Sequence, residues 1–466
     1  MVADKFKINQ EWLSCPTGDP FADAGGYAFE EFSKHYPICN VMQLIEKLTD
    51  IYINKWDSKI NAFFLNSKIT QPSFDSKKKK EETLKYFNEL LNESTKNSEG
   101  FCRILGKKTS LFVAGRDNSI LTGSGKFVNF HHYFQTGIML SKEAIIRLFF
   151  LPLACELLEG SIALIHSNVP SFSSPFASKN CRSNLLDIAS GISDGVRKSS
   201  SNAPGTALFR YVDEVISEYN DSEMKYDVAL KLYMFSNFGA EPDIEIYSLP
   251  STIFYFYRTM QNVKNKKQWN SFVNGYYFNS KEYKKAVYDE PSNTYIASTK
   301  ENQVNLEECS FKFWRNKIYE NLLKGKSLIP EFLKYSRKNK LNFQIIELYS
   351  TKVFNMKKET ISKINQMADF ILSSCEDSEI NKVIRKLDGI KNPSLLRRFV
   401  VKDVVAKNFN KGNKEAILTI EEYTEYLFPD TNSWREIRDV LLIALYQKMH
   451  ERNMSIEIEL DEDINE

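Results

Sequence analysis

Asp19 and Asp23 stand four residues apart in the stretch TGDPFADAGGYAFEEF, residues 17–32. On a helix that spacing puts two carboxylates on one side, and paired carboxylates can hold a divalent ion for nuclease chemistry. A capping reading competes with it. Pro20 suits the first helical turn, so Asp19 reads as the N-cap with Pro20 at N1, and Asp23 falls in the first turn, where the helix dipole favours an acid. Capping leaves Ala22, Ala24, Gly25, Gly26 and Ala28 unexplained. A glycine inside a helix costs about 1 kcal/mol, so the row asks for close approach of another backbone or of a nucleic acid.

Other catalytic patterns are incomplete. The run GSGK at residues 123–126 resembles a phosphate loop, but Ile120 stands where the first glycine is required and Phe127 where Ser or Thr holds magnesium. It reads as a glycine-rich hairpin tip. The five histidines (His35, His131, His132, His166, His450) lack HExxH or HxH spacing and the seven cysteines lack CxxC, so neither a metal site nor a cofactor is expected. Cys155 and His166 can be imagined as nucleophile and base. Cys155, however, lies beside Leu153 and Leu157 in an apolar run, where a neutral core thiol is the expectation.

Cations gather in two places. Between Lys382 and Lys414 ten basic residues stand against two acids, Asp388 and Asp403. Lys382, Arg385 and Lys386 share one helical face; Arg398 and Lys402 share another, with Arg397 beside them. Either a solvated face or a phosphate-contacting one fits, and phosphate contact there would be independent of sequence and strongly salt-dependent. The second place is a β-like region in which Lys107, Lys108, Arg116 and Lys126 accompany Asn118, Asn129 and His131. That composition can touch backbone phosphates and base edges.

The formal charge of +2 makes any grip on a polyanion a matter of such local patches. Only 15 of the 62 basic residues are Arg, so lysine runs carry less weight than usual. An odd, scattered set of seven cysteines without a signal peptide points to a reducing cytoplasm. The longest apolar stretch, residues 144–165, is broken by Arg147, Pro152, Glu156 and Glu159, so no membrane-spanning helix is expected.

Periodicity predicts helices over 21–36, 41–64, 142–158, 205–218, 361–372, 394–408 and 433–452, with Ser141 capping the third. Short β runs are predicted at SLFVAG, SILTGSGKFVNF, SIALIHSN, DVALKLYMFSNFG and DIEIYSLP. The fold class is α+β: a mixed N-terminal domain with an antiparallel β region and helices, then a C-terminal all-α bundle. The expected partition is a helical segment 1–100, an α+β core 101–305, a helical connector 306–355, a bundle 356–456 and an acidic disordered tail 457–466.

TGDPFADAGG near the N-terminus, SGKFVNFHHYFQTG followed by PLACELLEGSIALIHSN, and the basic helical C-terminus together resemble one family. It is the large subunit of type I CRISPR effector complexes (Cascade), closest to the I-B group. The resemblance implies a non-enzymatic subunit that sits at the 5′-handle end of the guide crRNA, reads the protospacer-adjacent motif (PAM) of target double-stranded DNA, starts strand separation and recruits the helicase-nuclease. Backbone and small subunits are the implied protein partners, without a membrane. On that view residues 107–132 serve motif reading and handle contact, and the C-terminal bundle resembles the small subunit, which guides the displaced strand. Internal translation can yield a free small subunit in this group; no Met lies between Met260 and Met356, so a Met-initiated product matching the bundle would begin at Met356 or Met367. Two readings compete: a metal-dependent nuclease using Asp19 and Asp23, and a scaffold without nucleic-acid contact.

Overall fold

The computed structural model describes residues 6–95, 97–121, 137–219, 227–236, 243–278, 286–298, 303–429, 433–454 and 456. Lys126, Asn129 and His131 lie outside the described residues, as do the GSGK run and the acidic tail. The chain forms two compact units, Met1–Ser251 with Cys309–Arg315, and Thr252–Glu308 with Asn316–Glu466. The class is α+β, with antiparallel sheets and a helical C-terminal region.

In the first unit, helices α1 (Pro20–His35), α2 (Val41–Asp50) and α3 (Ser76–Leu91) precede a three-stranded antiparallel sheet of β1 (Ser98–Phe101), β2 (Lys108–Ala114) and β3 (Ile138–Leu140). Helix α4 (Lys142–Ala154) leads into a second antiparallel sheet whose strands β4 (Glu156–Leu158), β5 (Ser161–Ser167), β6 (Leu230–Ser236) and β7 (Asp243–Leu249) lie side by side in that order. Between β5 and β6 the chain inserts α5 (Pro170–Ala189) and α6 (Pro204–Glu218).

Two predicted helices end early, each for a local reason. The helix expected over 41–64 stops at Asp50, continues as one π turn to Lys55, and is ended by Asp57 and Ser58, both at positive φ. The helix expected over 142–158 stops at Ala154. Glu159 and Gly160 adopt positive φ, and the resulting tight turn folds Glu156–Leu158 onto β5 as a strand.

The segments 1–100 and 101–305, expected to be separate, are not. Helix α1 packs on α4 and α5, both beyond residue 100, and the division falls near residue 251. The reason lies in α4, whose side chains from Lys142 to Ala154 are all buried. A helix apolar on nearly every side must be enclosed, and α1 supplies one wall.

The second unit holds α7 (Ser251–Met260), α8 (Val263–Asn274), β8 (Tyr277–Phe278), and a small antiparallel sheet of β9 (Val287–Asp289), β10 (Thr294–Ser298) and β11 (Gln303–Leu306). After the short α9 (Glu308–Phe311) come α10 (Lys317–Leu323), α11 (Ile329–Lys338), α12 (Phe343–Lys352), α13 (Lys358–Ser374), α14 (Asp377–Asp388) and α15 (Pro393–Phe399). A π turn, Val400–Ala406, carries α15 into α16 (Lys407–Asn410); α17 (Ile420–Glu422) and α18 (Trp434–Glu451) complete the unit. Helix α18 is its hub, packed by α11, α12, α13, α14 and α15. Of the connector expected at 306–355, residues 316–355 belong to this unit, whereas Cys309–Arg315 belong to the first.

Candidate nucleic-acid interface

The first-helix acids are the natural starting point, and the fold uses both internally. Asp19 caps α1, accepting a hydrogen bond from the Ala22 amide at 2.8 Å, with Pro20 at the first helical position. Burial holds its carboxyl above the ordinary value, against the lowering effect of the Ala22 amide. Asp23 is buried and saturated. Its Oδ1 accepts from the Thr17 amide (2.8 Å), the Thr17 hydroxyl (2.6 Å) and the Arg147 guanidinium (2.9 Å). Its Oδ2 accepts from the Gly18 amide (2.9 Å) and lies 3.4 Å from His166 Nε2. Burial pushes this carboxyl up, yet the hydrogen bonds with His166, Thr17 and Gly18 outweigh it and leave Asp23 below the usual range.

Arg147, on α4, is fully buried and also donates to the Ala22 carbonyl at 2.8 Å. The row of small residues exists to admit it. A Cβ on Gly26 would stand 2.9 Å from Arg147 Nε, and one on Gly25 would stand 2.0 Å from the Arg147 carbonyl oxygen. The close neighbour demanded by the glycines is thus a protein backbone. Among the described residues no group of three or more His, Cys, Asp or Glu gathers as a metal-binding cluster. Cys155, at the end of α4, is wholly buried, and burial pushes its thiol well above the ordinary value.

The β region separates its candidates. Lys107 and Lys108 are exposed at the start of β2, where Lys108 pairs with Phe101 of β1. Arg116 and Asn118 follow the other end of β2, six residue steps or about 20 Å away along a strand. Arg116 is half-buried and its carbonyl accepts from the Leu65 amide. Asn118 is turned into the protein: its Oδ1 accepts from the Gly115 amide at 2.8 Å, closing the turn after β2, and its Nδ2 donates to the Tyr86 hydroxyl at 2.7 Å.

The C-terminal helices bring their candidates together. Lys382, Arg385 and Lys386 are exposed on α14, and Arg398 and Lys402 are exposed on the run from Pro393 through Asn410. Lys386 bonds Asp403 at 2.7 Å and so ties α14 to that run. Arg337 of α11 holds Asp388 through both carboxylate oxygens, at 3.0 and 3.2 Å. Both acids of the segment are thereby occupied by cations. Lys407 and Lys411 turn to the chain, on Cys375 Sγ and the Ser374 carbonyl. Arg397 is only partly available, its guanidinium lying 5.3 Å from the Phe428 ring centre.

One constellation escaped the sequence reading. His166 on β5 lies directly opposite Lys231 on β6, and Leu164 opposite Tyr233. With Asp23 and Gly18, His166, Lys231 and Tyr233 line a cavity of about 450 Å³ at the mouth of α1. Alternation in LKLYMF puts Lys231 and Tyr233 on one face of β6, but only the pairing of β5 with β6 brings His166 to that face.

No described helix is long and apolar enough to cross a membrane. Among known families, the DevT C-terminal domain matches residues 334–466. That range begins inside α11 and takes in every basic residue of the 382–414 surface. DevT is a CRISPR-associated, Cascade-like protein, and the likeness covers well under half of this chain. No curated protein matches the sequence.

Proposed function

We propose that this chain is the non-catalytic large subunit of a type I, I-B-like CRISPR RNA-guided surveillance complex. In this role it recognises the protospacer-adjacent motif of target duplex DNA, contacts the 5′ handle of the guide crRNA, helps open the duplex, guides the displaced strand and recruits the helicase-nuclease. One observation carries the reading: the region similar to the C-terminal domain of a Cascade-like protein is also the region where exposed cations face outward while both local acids, Asp388 and Asp403, are held by Arg337 and Lys386. Such a surface suits a phosphate backbone, whose contacts position without reading sequence. A non-catalytic role is supported by the first-helix acids, since every oxygen of Asp23 is already engaged and Asp19 caps its helix.

The test is a gel-shift titration of duplex DNA with the purified complex, comparing wild type with the double variant Arg398→Glu, Lys402→Glu. Weakening by about tenfold or more at low salt is expected, from the loss of two phosphate contacts and the repulsion of two new acids. Unchanged binding across a salt series would remove the bundle from the DNA path. A complex that purifies free of RNA and shifts no DNA would favour the plain scaffold, and magnesium-dependent cleavage abolished by Asp19→Ala, Asp23→Ala would favour the nuclease.

A further inference from the structure

We infer that the sheet face in front of α1 binds one or two nucleotides of single-stranded nucleic acid, with Tyr233 as the stacking surface and Lys231 and His166 as the phosphate contacts. The inference rests on the nucleic-acid-binding reading above and gives it a second, separate site. Four observations converge. First, antiparallel pairing fixes His166, Lys231 and Tyr233 as immediate neighbours on one face, so cation, imidazole and aromatic ring cannot drift apart. Second, the cavity they line, about 450 Å³, lies in the range of pockets that hold a drug-sized ligand, and a nucleotide is of that size.

Third, the site is rigid from behind. Phe21 of α1 meets the Tyr233 ring edge-on, with centres 5.7 Å apart. His166 is backed by Asp23, whose charge is already matched by Arg147. Among the described residues Lys231 has no ion-pair partner, and it is exposed. Asp19, at the start of α1, directs an oxygen to its own helix amide. Fourth, the face continues past Tyr233. Ile246 of β7 lies directly opposite it and is 52% exposed, and Ile244, opposite Phe235, is 39% exposed. Phe235 itself is buried beneath Phe21 and Phe63, so the accessible part of the face is Tyr233 with the β7 aliphatic side chains beside it and cations at one end, which suits a stacked base and its phosphate. Gly18, at φ +86° with open space around its Cβ position, lets a ligand approach the backbone at the cavity rim.

The test uses the full-length chain and a fluorescent single-stranded oligonucleotide about ten bases long, titrated by anisotropy at fixed salt. The variants are Tyr233→Leu with Lys231→Glu, His166→Gln, and Arg398→Glu with Lys402→Glu; circular dichroism checks that each is folded. The Tyr233 and Lys231 pair should weaken binding about tenfold, the order expected when one base loses its aromatic platform, and His166→Gln should weaken it about threefold. Ultraviolet crosslinking of the wild type should map to β6. If the sheet-face variants bind like wild type while the Arg398 and Lys402 variant weakens, this site is refuted and the wider reading stands. If the wild-type chain binds no oligonucleotide, both fall. A crosslink from this face to a protein subunit in the assembled complex would also overturn the site.

Discussion

Gly25 of α1 abuts the backbone carbonyl of Arg147 on α4, so that a Cβ at residue 25 would stand 2.0 Å from the carbonyl oxygen. The two helices meet main chain to main chain at this point, which explains why a helix tolerates adjacent glycines. Gly25→Ala is expected to destabilise the first unit by at least the 1–3 kcal/mol typical of about one excess methyl in a full core, because backbone cannot swing aside. Gly26→Ala meets the Arg147 guanidinium at 2.9 Å and should cost less. Thermal unfolding of the two variants ranks them; equal, near-wild-type melting would contradict the contact.

Burial and the opposing hydrogen bonds with His166, Thr17 and Gly18 make the Asp23 contribution to stability depend on acid pH. Asp23 is held below its ordinary value of 3.8, so its contribution is fully present above about pH 4 and is lost as pH falls through the lower folded-state value. Asp19, held above 3.8 by burial, acts in the opposite sense, opposing folding as pH rises through that range. Asp23→Asn leaves a buried guanidinium without its counter-charge, a loss of about 3–5 kcal/mol at pH 7, and should flatten the acid limb. Urea unfolding from pH 2.5 to 7 measures both; identical acid limbs in wild type and variant would refute the assignment.

Salt dependence separates the two arginines of α15. Arg398→Glu with Lys402→Glu should reduce the slope of log affinity for duplex DNA against log salt by about 1.8, two phosphates at about 0.9 each. Arg397→Ala should instead lower melting temperature, since its guanidinium covers the Phe428 ring, and should change the slope little. Equal slope changes for both would mean that Arg397 faces the DNA.

Asn118 is a turn former in this fold. Asn118→Ala removes the bond from the Gly115 amide and frees the Tyr86 hydroxyl, a loss of about 1–3 kcal/mol. Melting temperature should fall while DNA affinity per folded molecule stays constant. A drop in affinity without a drop in stability would return Asn118 to the interface.

Thiol chemistry gives a simple check on Cys155. Burial pushes its thiol well up, whereas Cys309 is exposed. Iodoacetamide at pH 8 should label Cys309 in the native chain and reach Cys155 only after unfolding. Rapid native labelling of Cys155 would revive it as a nucleophile.

Much of this was legible in the residues. Asp19, Pro20 and Ser141 mark helix starts through their own chemistry, and each caps or opens a helix as its type dictates. Where helices end was less so: Asp57, Ser58 and Glu159 adopt positive φ, a conformation that none of these residue types demands. The basic helices were readable because charge and spacing are local. The partner of Asp388, Arg337, stands 51 residues away, and nothing local announces it. The His166, Lys231 and Tyr233 face was hidden for the same reason, since two strands separated by α5 and α6 create it.

Helix α18 holds α11 through α15 in place, yet the ribosome makes it after all of them. Helices that share one late-arriving partner cannot bury the faces turned to it as they emerge. The packing around α18 is therefore completed only after that helix is made, while α1 and α4 of the first unit meet early in the chain and can pack during synthesis. A product started at Met356 would keep the hub but lose α11, and with it the arginine that neutralises Asp388.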